Sequence, residues 1–489
     1  MSPAAQGVAG VASGHPLATD AGIDALANGG SAADAALAAA FTQWVVNAPL
    51  CGPGGDCVAL VTAGDQVIVY GGWSRVPLGI DPTAMPEPSG PRGAVVPGSL
   101  RGVEALWQAH GRLPWRDLFG AALRAAGGHM ITARMEKVFE LVTAKGHSDA
   151  TRRVTNAGAS PLSGDVIALP ALGETIGRIA EEGADAFYFG SIAAAIDAAA
   201  RRDGGWLRAE DLASITAEVT TAVRFDLDDV SVWVPDWPSQ AKITPALLAQ
   251  VDASVDPACR EFAEAVGPLT EELLVKRCAQ GLAGTAVSSA VDDTGLSVAL
   301  VHSLAGTQFG TGWVAGDTGV AFGNRVGSAL SVRADLPAAN PVGGAVLPHT
   351  LSAAHVRAPG RWMTVATPGG DRQVQWLTQA IQRFRLNAGT ESIAADPRWF
   401  VCPEGDRFGV PSGIGQEWFM FGEEGIQWRD DAEVAGYQVK HMSTGGGGLQ
   451  VIVGGDDDAV ELASDPRAGG ATRALPQKET DHVHRPEVH

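Results

Sequence analysis

Two strand-like runs joined by a tight turn, with alanine-dense helices elsewhere in the chain, predict a mixed α/β fold. The runs are Ala286–Val291 and Leu296–Leu304, joined by Asp292, Asp293, Thr294 and Gly295, residue types that close hairpins. The helices read most clearly at Ala18–Ala27 and from Ser31 to about Val45. So dense an alanine face implies close packing against a sheet. Asn28-Gly29-Gly30 stops the first helix with residues that tolerate left-handed backbone, and Ser31 caps the second.

The chain has 489 residues, 45% of them apolar, enough for several ordinary domains or one large α/β assembly with a sizeable core. A formal net charge of −20 argues against a nucleic-acid partner and for a soluble acidic enzyme. Met1–Gly14 has no positive leader region and no long apolar core, so no secretory signal is expected. No membrane span is expected either, because the apolar stretch Ala33–Val46 carries Asp34, Thr42 and Gln43. Five scattered cysteines (51, 57, 259, 278 and 402) fit a reducing compartment, and the expected location is cytoplasmic. Cys51 and Cys57 flank a glycine-rich turn and read as small packing residues. With no HExxH, Cys/His cluster or carboxylate quartet, neither a metal nor a cofactor is expected.

Taken in order, a strand at Gly7–Ser13 precedes the two alanine-rich helices. Cys51-Gly-Pro-Gly-Gly55 reads as a tight turn, since a phosphate cradle would need a Lys and a Ser or Thr at set spacing. A hairpin follows, Cys57–Thr62 with Gln66–Tyr70. Helices are expected near Leu100, from Leu113-Pro114 to Ala126, over Ile192–Arg202 and over Pro245–Val251, with a short helical stretch at Glu210 and Asp211. Strands are expected at Thr220–Phe225 and Val230–Val234, and a charged helix over Arg260–Gln280. Later strands fall at Gly319–Phe322, Trp362–Ala366, Gln438–His441, Leu449–Val453 and Ala459–Ala463, with a Pro- and Ala-rich loop over Val332–His349. The tail from about Leu475 reads as polar and mobile.

Thr285 begins a strand and follows Gly284, with nothing bulky before it. If the chain is cut between them, the freed α-amine lies beside the Thr hydroxyl and can act as its general base. Such amines titrate around pKa ~7.7–8.0, and a Thr with its own terminal amine is an activated nucleophile. Pro368-Gly369-Gly370 sits between the strand Trp362–Ala366 and a helix over Gln373–Leu386. Two glycines at that turn place bare N–H groups at a helix N-terminus, suited to a developing oxyanion.

Several ordered matches resemble the γ-glutamyltranspeptidases of the N-terminal-nucleophile (Ntn) hydrolase superfamily. They are Ala12-Ser-Gly-His-Pro-Leu-Ala-Thr-Asp-Ala-Gly22, Gly29-Gly-Ser-Ala-Ala-Asp-Ala-Ala36, Val96-Pro-Gly-Ser-Leu-Arg-Gly102, Gly183–Phe187 with Gly204-Gly205, and Ala463-Ser-Asp-Pro-Arg467. The resemblance implies a four-layer αββα sandwich and a precursor that cuts itself between Gly284 and Thr285. The implied parts are a large subunit, residues 1–284, and a small subunit, residues 285–489, associated as a heterodimer; any higher oligomer stays open. It also implies Thr285 as nucleophile, Ser303 as the hydroxyl that hydrogen-bonds it, and Gly369 and Gly370 as the oxyanion pair.

The family's grip on a glutamyl group is altered. Trp73 stands at its Arg position with Arg75 close by, His349-Thr350 replaces a Ser pair, Ala305 replaces an Asn, Arg325 a Gln and Ser328 an Asp. Losing an acid and gaining a guanidinium is expected to invert the local charge and favour a carboxylate. Arg325, Ser328, His349, Thr350 and Arg75 are therefore the candidate substrate-binding residues. The chain is also similar to transpeptidase homologues of 4-alkyl-proline antibiotic pathways, which implies hydrolysis of an oxalyl-type C–C or amide bond of a small molecule. A γ-glutamyl transferase, hydrolase or acylase with a rebuilt pocket is the alternative, and a non-catalytic homologue the third reading.

Overall fold

In the computed structural model the described residues are 4–81, 89–144, 149–154, 159–276, 284–306, 309–327, 342–403, 417–442, 447–456 and 458–476. Two seven-stranded sheets form the centre. One runs in the order Ala471–Leu475, Ala9–Ser13, Thr285–Val291, Ser297–Ser303, Asp56–Ala63, Gln66–Gly72, Glu218–Thr221. The other runs Ala5–Gly7, Val460–Ser464, Gln450–Gly455, Arg361–Ala366, Ala353–Ala358, Ser231–Val234, Val223–Asp226. An apolar cluster joins their inner faces: Val58, Leu60, Val287, Ala299 and Val301 from the first sheet meet Trp233, Ala353 and Ala366 from the second.

The outer face of the first sheet carries the helices Pro16–Ala27, Ala32–Val46 and Ser99–His110. Ser31 closes a capping box with Asp34, and every residue of Ala32–Val46 is buried. The small side chains let this helix lie directly on Ala286, Ala290, Val298 and Leu300. The outer face of the second sheet carries Arg372–Arg385 and Thr390–Ala395, packed through Leu377, Ile381 and Phe384 onto Val356, Val365 and Val451. Helix, sheet, sheet and helix thus form the four layers of the expected αββα sandwich.

The expected helices recur with ends shifted by a few residues, except that Leu113-Pro114 leads into a 3-10 turn, Trp115–Phe119, before the helix Gly120–Gly127. Three readings need correction. Gly7–Ser13 is two strands, Ala5–Gly7 and Ala9–Ser13, one in each sheet. Thr220–Phe225 likewise divides into Glu218–Thr221 and Val223–Asp226, because the chain crosses between sheets at the buried Ala222. Gly319–Phe322 makes only an isolated bridge, Val314 with Ala321. The strand Ala471–Leu475, paired with Ala9–Ser13, ends where the tail is expected to begin. Residues 477–489 and most of the loop expected over Val332–His349 lie outside the described residues, as do Cys278 and Ser328.

Candidate active site

Thr285 opens its strand with its side chain buried. Side chains alternate along a strand, so Thr285 shares the inner face with Val287. The ladder places Thr285 opposite Ser303, and Ser303 opposite Asp56. Three polar side chains from three strands therefore form one row between the sheets.

Within that row Ser303 makes three contacts. Its hydroxyl donates to the Gly284 carbonyl, accepts from Thr285 Oγ1 at 3.4 Å and accepts from the Ala305 N–H at 2.8 Å. Gly284 has φ +123°, and a Cβ there would stand 2.2 Å from the Gly306 carbonyl oxygen. Only glycine fits immediately before Thr285, for conformational and steric reasons together. Ala305 has φ +53°, a left-handed conformation that Asn tolerates and Ala adopts at a cost of about 1–2 kcal/mol.

The Gly-Gly turn follows the strand Arg361–Ala366 on the facing sheet. Gly369 and Gly370 have φ +140° and +62°. Their carbonyls accept from the Arg372 and Gln373 N–H groups, while among the described residues their own N–H groups have no partner. Gln240, which sequence reasoning missed, fixes this turn by donating to both Thr350 O and Gly370 O at 2.9 Å. Trp376 supports it from behind: a Cβ on Gly369 would lie 2.3 Å from the Trp376 ring. Thr285 and Pro368 line one cavity, together with Gln43, Asn47, Gln450 and Arg134. Arg134 also escaped the sequence reading; it donates to the Arg467 and Gly447 carbonyls, and burial lowers its pKa.

The candidate substrate residues separate into two groups. Arg325 is fully buried and pairs with Asp56, Nε to Oδ2 at 2.5 Å and Nη2 to Oδ1 at 3.0 Å. The Ser74 hydroxyl donates to Asp56 Oδ2 at 3.1 Å, and His349 Nδ1 stands 3.6 Å from the same oxygen. The His349 ring lies against Trp73, with centroids 4.8 Å apart. This corrects the expected charge inversion: the gained guanidinium carries its own acid, and the pair is neutral overall. Arg75 is turned to framework work, bridging Val96 and Val346 and donating to Gly344 O. Thr350 is buried, with its carbonyl held by Gln240 and by the Ser352 hydroxyl.

Neighbouring polar groups serve the framework. His302 precedes Ser303 but lies on the opposite face of its strand, where burial pushes its pKa down to about 3 and keeps it neutral. The Ser-Asp-Pro-Arg segment ending at Arg467 forms a network, with Asp465 pairing Arg398 and Arg467, and Arg467 pairing Glu423 at 2.6 Å. Burial raises the Cys57 thiol to about 12, which leaves it an inert packing residue.

The αββα fold is that of the Ntn hydrolases, and within it Thr285 heads a strand between the two sheets and shares a cavity with Pro368 of the Gly-Gly turn. Family comparison agrees: the gamma-glutamyltranspeptidase family model matches residues 18–271 and 263–475, and the chain belongs to that family. It is 28% identical over 458 residues to a glutathione hydrolase-like YwrD proenzyme of Bacillus subtilis, covering 80% of this chain and 84% of that one. It is 30% identical over 260 residues to the human glutathione hydrolase 5 proenzyme, covering 50% of this chain and 44% of that protein. The match to a glutathione hydrolase of Aspergillus flavus likewise takes in 42% of the relative, so the chain spans under half the length of these two. Among solved structures, a cephalosporin acylase from Bacillus halodurans superposes with a TM-score of 0.80 at 21% identity over 97% of both chains. A protein described as LmbA2991T421A superposes with 0.81 at 22% identity, covering 96% and 99%. At these identities the likeness establishes the fold.

Proposed function

We propose that this chain is a self-processing hydrolase in which Thr285, freed from Gly284, is the acyl-accepting nucleophile. The observation that carries this reading is the contact set of Ser303, which touches both the nucleophile and the carbonyl to be cut. In the uncut chain Thr285 Oγ1 attacks the Gly284 carbonyl carbon, and the Ser303 hydroxyl stabilises the oxyanion that forms. The amide collapses to an ester on Thr285, and water hydrolyses it to leave residues 1–284 and 285–489 as two associated subunits. The names of the bacterial and human relatives include "proenzyme", in keeping with such a step.

After cleavage the Thr285 α-amine takes the hydroxyl proton, the oxygen attacks the substrate carbonyl, and the Gly369 and Gly370 N–H groups hold the oxyanion. The leaving group departs with a proton, and water releases the acyl group. We assign Arg325, His349 and Thr350 to the acyl pocket, with Ser328 as a further candidate. A buried guanidinium there suits an acyl group bearing a carboxylate or another acceptor oxygen, such as an oxalyl unit on a small molecule of secondary metabolism.

The relatives' names support a second reading, a γ-glutamyl hydrolase or acylase with a rebuilt pocket. Two measurements decide. Intact mass under denaturing conditions is expected to give two fragments divided between Gly284 and Thr285; a single uncut chain overturns the nucleophile assignment. Turnover of oxalyl p-nitroanilide over γ-glutamyl p-nitroanilide supports the oxalyl reading, and the reverse preference replaces it with the second.

A further inference from the structure

We propose that Asp56 sets the charge selectivity of the acyl pocket by occupying one edge of the Arg325 guanidinium and cancelling its charge. The inference rests on the reading of Arg325 as an acyl-pocket residue. A guanidinium is planar and offers its donors in a fixed fork. Asp56 occupies one whole edge of that fork, taking Nε and Nη2 on its two oxygens. The remaining edge carries the second Nη2 hydrogen and Nη1, and Nη1 is buried and without a hydrogen-bond partner among the described residues. Ser74 and His349 flank Asp56 Oδ2 and leave the carboxylate little freedom to turn.

The register locates this clamp. Asp56 is opposite Ser303, which is opposite Thr285. With strands about 4.7–4.9 Å apart, Asp56 stands two strands, roughly 10 Å, from the nucleophile. That distance suits a compact acyl group whose far oxygen reaches Nη1 while its carbonyl meets Thr285. Asp56 and Arg325 cancel in charge, so the pocket offers the remaining guanidinium edge with no net positive field. It therefore accepts a keto, ester or carboxylate oxygen with little preference among them. Neutralising Asp56 frees the whole fork and its charge, and makes the pocket select anions.

The test measures binding, so it is independent of turnover. Affinities of oxamate and of its neutral counterpart ethyl oxamate are measured by calorimetry on the wild type, D56N, R325Q and D56N/R325Q. D56N is expected to tighten oxamate about tenfold or more relative to ethyl oxamate. In the R325Q background D56N is expected to change that ratio less than twofold, because Asp56 acts through Arg325. An unchanged ratio in D56N, with oxamate binding lost in R325Q, overturns the role of Asp56 and leaves the carboxylate reading standing. Oxamate binding that is indifferent to R325Q removes Arg325 from the pocket, and both readings fall. If D56N does not fold, S74A reads the same quantity by loosening Asp56: a two- to threefold tightening of oxamate supports the proposal, and no change overturns it.

Discussion

Replacing Ser303 by Ala tests the centre of the site. The substitution removes three hydrogen bonds at once: to the Gly284 carbonyl, from Thr285 Oγ1 and from the Ala305 N–H. Two consequences separate. The buried Ala305 N–H loses its acceptor, which costs about 1–3 kcal/mol of stability. The Gly284 carbonyl loses the donor aimed at its developing oxyanion, a contact worth about 2.7–4 kcal/mol in comparable sites, or roughly 10²–10³ in rate. Self-cleavage of S303A is followed by intact mass over time, while a denaturant melt of the same sample reports folding. The expected result is a folded chain that is cut hundreds of times more slowly at the same bond. S303T, which keeps a hydroxyl, is expected to cut within about tenfold of the wild type. Wild-type cleavage in folded S303A would refute the reasoning, since Ser303 would then be a strand residue that merely faces the nucleophile.

Gly369→Ala is expected to destabilise the chain by about 2–4 kcal/mol and to abolish turnover, because the added Cβ would lie 2.3 Å from Trp376 at a φ of +140°; denaturant midpoint and p-nitroanilide release check the two parts. The buried histidines give a pH dependence. Burial lowers both His302 and His355 to about 3, with the Arg357 charge adding to the effect on His355. The unfolded chain binds these protons below its ordinary pKa of ~6.5 and the folded chain does not, so stability is full above about pH 6.5 and is lost as pH falls towards 3. The slope is at most ~1.4 kcal/mol per pH unit for each histidine. Urea midpoints measured from pH 7 to pH 4 are expected to fall, and to fall less steeply in H302F.

Local chemistry was legible along the chain. Ser31 followed by a run of alanines gave the buried helix Ala32–Val46, since capping and close packing depend on residues within a few positions of one another. The Asp292–Gly295 turn gave the hairpin that carries Thr285 and Ser303, and two adjacent glycines before a helix gave the candidate oxyanion turn. Longer-range relations were not legible. The strands Ala353–Ala358, Trp399–Pro403 and Trp418–Gly422 escaped the reading; the last two belong to a four-stranded sheet packed on the helices Arg260–Lys276 and Arg372–Arg385. The alternation through Ala222 looks continuous because a change of sheet preserves the two-residue period while replacing every partner.

Asp56 shows the boundary most clearly. In the sequence it is the residue after a glycine turn, and its partner Arg325 lies 269 positions away. The sequence alone determined which residue could become an N-terminal nucleophile, because that depends on a Gly-Thr bond at the head of a strand. Tertiary structure decided that the Arg325 guanidinium is neutralised by an acid, because charge compensation between buried groups depends on which of them the fold brings within hydrogen-bonding distance, and that information is absent from spacing along the chain.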